Sequence, residues 1–260
     1  MAAVTTVRDV LYRYAFARGV YERLVGDCGC HPQVARNAVA LLLWFDGQAG
    51  TSQQQVISRL PGMSTTALDH LITELNCVIH CLLMRDLPGP PTPLLSALCQ
   101  DSRMDHPHFF PVNRGLVVRG VADLLDGVCT LVFDDRLYHL LRRHQTGLVG
   151  RNPELEAPYA AAVVTVPEDC RSMFVTFSRG QPVEREDIFG YFRETWGDCI
   201  VRVLMEKTTG GAQPMYGRVI FKSKAFVSLV LNGVDRAPIF IGGREIWLRE
   251  YIPRSSSSSN

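Results

Sequence analysis

Two short segments decide how the last third of this chain folds: residues 173–178, which read MFVTFS, and residues 214–221, which read PMYGRVIF. In both, apolar positions recur with a period of two, which is the period of a β-strand whose faces meet different surroundings. Between them lie an amphipathic stretch at residues 183–196 and a β-branched run, CIVRVLM, at residues 199–205. We therefore expect a strand, a helix and two further strands, in this order.

The chain beyond residue 221 completes the pattern. Residues 225–231 (AFVSLVL) predict a short helix that Asn232 and Gly233 end, and residues 245–252 predict a last strand. The resulting order is βαββαβ, over about the length that a split-βαβ domain needs. We expect a four-stranded sheet backed by two helices.

Strand alternation also predicts which side chains share a face of this sheet. One set is expected to pack against the helices: Met173, Val175, Phe177, Val219 and Phe221. The other set is expected on the open face: Phe174, Thr176, Tyr216, Arg218, Trp247 and Arg249. Three alternatives stay open. Residues 163–166 or the N-terminal region could cover Phe174, Trp247 could be a packing residue at a strand edge, and Arg218 could be a solvated charge.

The order of elements and the two segments resemble the RNA recognition motif (RRM) family. The family's hexamer on the first strand has an exposed aromatic at its second position, where this chain has Phe174, although the usual Asn near the end is missing. The family's octamer, K/R-G-F/Y-G/A-F-V-x-F/Y, aligns with residues 214–221. Four positions match: Tyr216, Gly217, Val219 and Phe221. Three depart: Pro214, Met215 and Arg218. Residues 241–248 (IGGREIWL) also resemble the family's approach to its last strand.

This resemblance covers about residues 171–254 and implies a ferredoxin-like, or α-β plait, domain that binds single-stranded RNA. Exposed aromatic rings on such a sheet stack unpaired bases, at roughly 1–3 kcal/mol per base, and arginine adds charge and stacking. The RNA-binding residues implied are those of the open face: Phe174, Thr176, Tyr216, Arg218, Trp247 and Arg249. The missing octamer aromatic at Arg218 predicts weak binding.

The departures from the octamer also favour a rival interpretation, in which the protein is a protein–protein interaction module. The sheet would then be covered by a peptide or by the N-terminal helices. In either case the helical part is expected to bind a protein partner or to position the sheet. No nucleophile, general base or metal set emerges from the sequence, so we expect neither enzymatic activity nor a cofactor.

The N-terminal part reads as helices. Ser64 is a suitable N-cap for a helix whose apolar residues recur at helical spacing: Leu68, Leu71, Ile72, Leu75, Val78, Ile79 and Leu82. We expect an α+β protein with a helical domain at residues 1–145, a connector at 146–170, the RRM-like domain at 171–254 and a disordered serine tail at 255–260. The arrangement as a whole is similar to uncharacterised plant proteins that join such a helical region to an RRM-like end.

Charge and cysteine content narrow the classes of partner. Residues 1–170 carry 14 arginines, no lysine and 17 acidic residues, a net charge of −3, whereas residues 171–260 carry 13 basic and 9 acidic residues, a net charge of +4. A mildly basic C-terminal part suits a polyanion. No secretory or membrane-spanning pattern is visible, so the eight cysteines predict reduced thiols in the cytoplasm or nucleus. The spacing of Cys28, Cys30 and His31 and of Cys77, His80 and Cys81 is poor for zinc.

Overall fold

The structure is a computed structural model that describes residues 4–48, 55–85, 87–160, 166–178, 181–210 and 212–253. It has the predicted α+β organisation, with helices through the N-terminal part and a five-stranded antiparallel sheet in the C-terminal part. The predicted serine tail at 255–260 and residues 161–165 of the predicted connector lie outside the described residues. No helix in the described ranges combines the length and apolarity needed to cross a bilayer.

The described N-terminal helices are short to medium in length. They are α1 Val7–Arg13, α2 Ala15–Gly26, α3 Pro32–Gln48, α4 Thr65–Leu83, α5 Pro93–Cys99, α6 Phe109–Asp126, α7 Cys129–Val132, α8 Asp135–Gln145 and α9 Pro153–Glu156. Turns of 3-10 helix lie at Ile57–Gly62 and Ser102–Asp105. Helices α2, α3, α4 and α6 pack on one another, which gives this part its core.

Helix α4 confirms the apolar stripe read from the sequence. The hydroxyl of Ser64 accepts a hydrogen bond from the backbone N–H of Ala67, as an N-cap should. All seven stripe residues are buried in the core: Leu68, Leu71, Ile72, Leu75, Val78, Ile79 and Leu82. At the other end, the buried guanidinium of Arg114 donates to the carbonyl oxygens of Cys81 and Met84 and so satisfies the last turn.

Part of the predicted connector is folded. Helix α9 lies within residues 146–170, and Leu155 is fully buried in a small cluster with Leu11, Leu137 and Leu141. The N-terminal segment pairs with the residues that follow α9, because Val7 donates to the carbonyl oxygen of Ala157 and Tyr159 donates to that of Thr5. The start of the connector is therefore attached to the helical part.

The C-terminal part forms a single sheet with two helices on one face. The elements are β1 Ser172–Phe177, α10 Arg185–Trp196, β2 Ile200–Met205, β3 Tyr216–Phe221, α11 Lys224–Leu231, β4 Arg236–Ile241 and β5 Arg244–Glu250. The strand order is β2-β3-β1-β5-β4, and all the pairs are antiparallel. A 3-10 turn, Glu168–Arg171, leads into β1.

The prediction of four strands was wrong by one, because β4 was missed. Pro238 lies in the middle of β4, and a proline argues against a central strand. The structure tolerates it because β4 is the edge strand, bonded to β5 alone. Gly242 and Gly243, both at positive φ, form the two-residue turn between Ile241 and Arg244. This Gly-Gly pair between apolar runs was the hairpin signal in the sequence.

Helices α10 and α11 lie between the sheet and the N-terminal helices. Both contact α6, and one continuous buried cluster includes residues from the helices and from the sheet. Trp196 at the end of α10 is 1% exposed, and its indole N–H donates to the carbonyl oxygen of Leu82 at 2.9 Å. On α11, Asn37 from α3 donates to the carbonyl oxygen of Ser228. The layers are thus helices, then α10 and α11, then the sheet.

Candidate nucleic-acid interface

The strands place the predicted buried residues as expected. Each of the five is at most 7% exposed and lies against α10 and α11: Met173, Val175, Phe177, Val219 and Phe221. Gly217 lies on the same buried face. A larger residue would not fit there, since a Cβ would lie 2.9 Å from the carbonyl oxygen of Leu204 on β2. The glycine of the octamer-like segment therefore allows β2 and β3 to pair closely.

All six predicted binding residues lie on the opposite surface of the sheet, which we call the open face. Phe174 on β1 lies between Arg218 on β3 and Arg249 on β5. In the next row, Thr176 lies between Tyr216 and Trp247. Tyr216 is 42% exposed and Trp247 is 40% exposed, while Phe174 and Thr176 are half-buried. Two cross-strand rows therefore carry the whole predicted set.

Three of these side chains form a continuous stack. The rings of Phe174 and Tyr216 have centroids 5.4 Å apart and planes inclined by 25°. The guanidinium carbon of Arg249 lies 4.4 Å from the centroid of the Phe174 ring, on the β5 side. An aromatic pair joined to a cation in this way offers flat, electron-rich surface beside positive charge.

Arg218 is engaged with residues of this chain. It donates to a carboxylate oxygen of Asp169 at 2.5 Å and to the hydroxyl of Ser172 at 3.0 Å. Its guanidinium carbon also lies 3.8 Å from the centre of the Tyr251 ring, and the side chain is only 18% exposed. The sequence could not reveal this, because Asp169 is 49 residues away along the chain.

The Glu168–Arg171 turn, which we call the acidic turn, pairs with the β2–β3 side of the open face. Besides the Asp169 pair with Arg218, Glu168 accepts a hydrogen bond from Arg202 on β2 at 2.6 Å. The turn also contacts β3 near Ile220, which is fully buried although its register places it on this side of the sheet. The acidic turn thus neutralises two arginines and closes one corner of the face.

Strand β4 adds residues that the sequence analysis missed. Arg236, Pro238 and Phe240 alternate with the buried Ala237, Ile239 and Ile241, so they lie on the open face. Phe240 is 53% exposed. The signal that could have found them is the same Gly242-Gly243 turn, since a hairpin there places β4 beside β5.

A pocket of about 540 Å³ lies elsewhere, where α6, α7 and α11 meet, and its lining includes Arg36, Arg171, Lys222 and Lys224. Two of these basic side chains have partners within the described part of the chain. Lys222 pairs with Asp198, and Arg171 donates to the carbonyl oxygens of Val166 and Phe221. Asp126 also lies in the lining, and burial raises the pKa of its carboxyl. The N-terminus of α11 is capped by Ser223, whose hydroxyl accepts a hydrogen bond from the backbone N–H of Ala225.

The cysteine and histidine residues considered as zinc ligands do not form a metal-binding cluster within the described residues. No cluster of three or more histidine, cysteine or acidic side chains suited to a metal occurs among the described residues. Burial raises the pKa of Cys28 to about 11 and raises that of Cys30 and Cys81, so these thiols hold their protons, whereas zinc binds the thiolate. Buried Cys81 lies 3.5 Å from the carbonyl oxygen of Pro88.

Comparison with known proteins returns no match to a family model, to a curated protein or to a solved structure.

Proposed function

We propose that this protein binds single-stranded RNA weakly through the open face of its sheet, without catalysis, and that residues 171–254 are an RRM-like, ferredoxin-like domain. The observation that carries the proposal is the stack of Tyr216, Phe174 and Arg249 on a face of the sheet that no described helix covers. Unpaired bases stack on such rings whatever their sequence. The strand order β2-β3-β1-β5 and the helices on one face support the domain assignment, with β4 as an addition.

The position of the helical part supports the same proposal. Its contacts with the sheet unit run through α10 and α11, on the face opposite Phe174 and Tyr216. It is therefore placed to hold the sheet and leave the stacking side accessible. The eight cysteines are free thiols, which suits action inside the cell.

A protein partner is the second candidate occupant of the open face, favoured by one observation. Strand β4 is an edge strand that carries Phe240 at 53% exposure. Exposed apolar edges take up peptide strands in other proteins. A peptide bound at this edge would make binding sensitive to mutation of Phe240. RNA bound on the open face would instead make it sensitive to mutation of Phe174.

The test is a titration of the full chain with a fluorescent mixed-sequence single-stranded RNA of ten nucleotides, at low salt. Phe174→Ala and Tyr216→Ala should each weaken binding by roughly 1–3 kcal/mol, because each removes one stacking surface. The matched control is Tyr12→Ala on α1, an exposed tyrosine of the helical part (46%, against 42% for Tyr216). It should leave the affinity unchanged.

Two results would contradict the proposal. One is no binding by the wild-type chain at low salt, which favours the protein-partner interpretation. The other is an equal loss in the Tyr12 and Tyr216 variants, which would place the RNA elsewhere. Circular dichroism of each variant checks that the fold is intact.

A further inference from the structure

The four arginines of the open face fall into two pairs with opposite surroundings. On the β2–β3 side, Arg202 and Arg218 are each bonded to a carboxylate of the acidic turn. On the β5–β4 side, Arg249 and Arg236 are directly opposite each other in the strand register. Within the described chain, neither Arg236 nor Arg249 forms an ion pair, and the one polar contact of Arg249 is a 3.4 Å contact with the carbonyl oxygen of Glu250.

Two like charges at directly opposed positions are unfavourable. Opposed Cβ atoms of an antiparallel pair lie roughly 4.5–5.5 Å apart, and like charges there destabilise the sheet. On the other half of the same face, Arg202 and Arg218 are not opposed in the register, and each has its own carboxylate partner in Glu168 or Asp169. No described residue forms an ion pair with Arg236 or Arg249, so an external anion that contacts both guanidiniums would offset this repulsion.

The position of this pair identifies the kind of anion. Arg249 lies over the ring of Phe174, the centre of the aromatic stack, and Arg236 continues outward from it on β4. An anion held by both guanidiniums would therefore lie beside the Phe174–Tyr216 aromatic surface that a base would contact. A phosphodiester has this relation to its own base, and two guanidiniums match its oxygens well.

We propose that Arg236 and Arg249 together bind one phosphodiester group of the RNA strand, so that the backbone follows the β5–β4 side of the sheet while Arg202 and Arg218 stay with the acidic turn. This inference rests on the proposed RNA binding and adds to it the path of the strand and a contact residue, Arg236. It also gives the additional strand β4 a function, which is to present the second guanidinium.

The experiment is the same titration of the full chain, repeated across a range of potassium chloride concentrations. For single strands, the logarithm of the affinity falls against the logarithm of salt with a slope of about 0.7 per neutralised phosphate. Arg236→Gln with Arg249→Gln should lower that slope by about 0.7 and weaken binding at low salt by about ten-fold. Arg236→Lys keeps the charge and should keep the slope.

The matched control is Arg193→Gln, which removes an exposed arginine from α10, on the other side of the sheet. It should change neither the slope nor the affinity. An unchanged slope in the Arg236 and Arg249 variant, with binding still lost in Phe174→Ala, overturns this inference and leaves the proposed function standing. The same loss in Arg193→Gln also overturns it, because the effect would then be general charge. No RNA binding by the wild-type chain overturns both.

Discussion

The two faces of the sheet carry aromatic side chains of similar kind but different neighbours. On the helix side, Phe192, Trp196, Phe221 and Phe226 pack ring against ring and are buried. On the open face, Phe174, Tyr216 and Trp247 form a surface that no described helix covers. Aromatic content alone therefore does not distinguish a core from an exposed binding surface, because burial depends on whether another layer packs on that face.

The greatest loss of stability is expected from mutation of the buried tryptophan on the helix side, and the tryptophan of the open face provides the comparison. Trp196→Ala should destabilise the protein by about 3–5 kcal/mol, because it leaves a large cavity and a carbonyl oxygen of Leu82 without its donor. Trp247→Ala removes the same atoms from the open face and should cost about 1 kcal/mol or less. Urea unfolding of both variants measures the contrast. Equal losses would mean that Trp247 is also a core residue.

The second expected effect concerns the boundary between the helical part and the sheet part. We expect a protease to cut within the predicted connector, residues 146–170, and the two pieces to elute together from a sizing column. They should stay together because α10 and α11 are buried against the N-terminal helices, with Tyr191 donating to the carbonyl oxygen of Leu83. A free, stable fragment that begins near Ser172 would show instead that the sheet unit folds alone.

A smaller effect tests the acidic turn as a competitor for RNA phosphate. Glu168→Gln with Asp169→Asn removes the partners of Arg202 and Arg218, and exposed ion pairs are worth about 0–1 kcal/mol. RNA affinity should therefore rise by up to about five-fold, with a steeper salt dependence. The matched control is Glu186→Gln with Asp187→Asn, the same change in charge on α10. If both double variants bind alike, the turn does not compete with RNA.

The last prediction concerns metal removal, for which we expect no change in stability or RNA binding. Chelation should change neither the unfolding temperature nor RNA binding, because burial raises the pKa of the Cys28, Cys30 and Cys81 thiols and no metal-binding cluster occurs among the described residues. Differential scanning fluorimetry with and without a chelator checks this. Stoichiometric zinc in protein purified without added metal would contradict it.

Much of the candidate site follows from local sequence, for a simple reason. A strand puts alternate residues on opposite faces, so the choice of Met173 and Val175 as buried residues also places Phe174 and Thr176 on the open face. Helix α4 could be predicted in the same way from its stripe and from Ser64. Strand β4 could not be predicted from its own residues, because Pro238 argues against a strand until β5 is known to pair with it.

The α+β class, the two rows of the open face and the glycines that end several elements follow from local sequence alone. Which arginines of that face are already paired, and that the N-terminal helices pack against α10 and α11, became clear from the three-dimensional structure alone. This division follows from the separation along the chain over which each effect acts. Periodicity and turn chemistry act over a few residues, whereas the pairing of Arg218 with Asp169 and the burial of Trp196 against Leu82 join residues 49 and 114 positions apart.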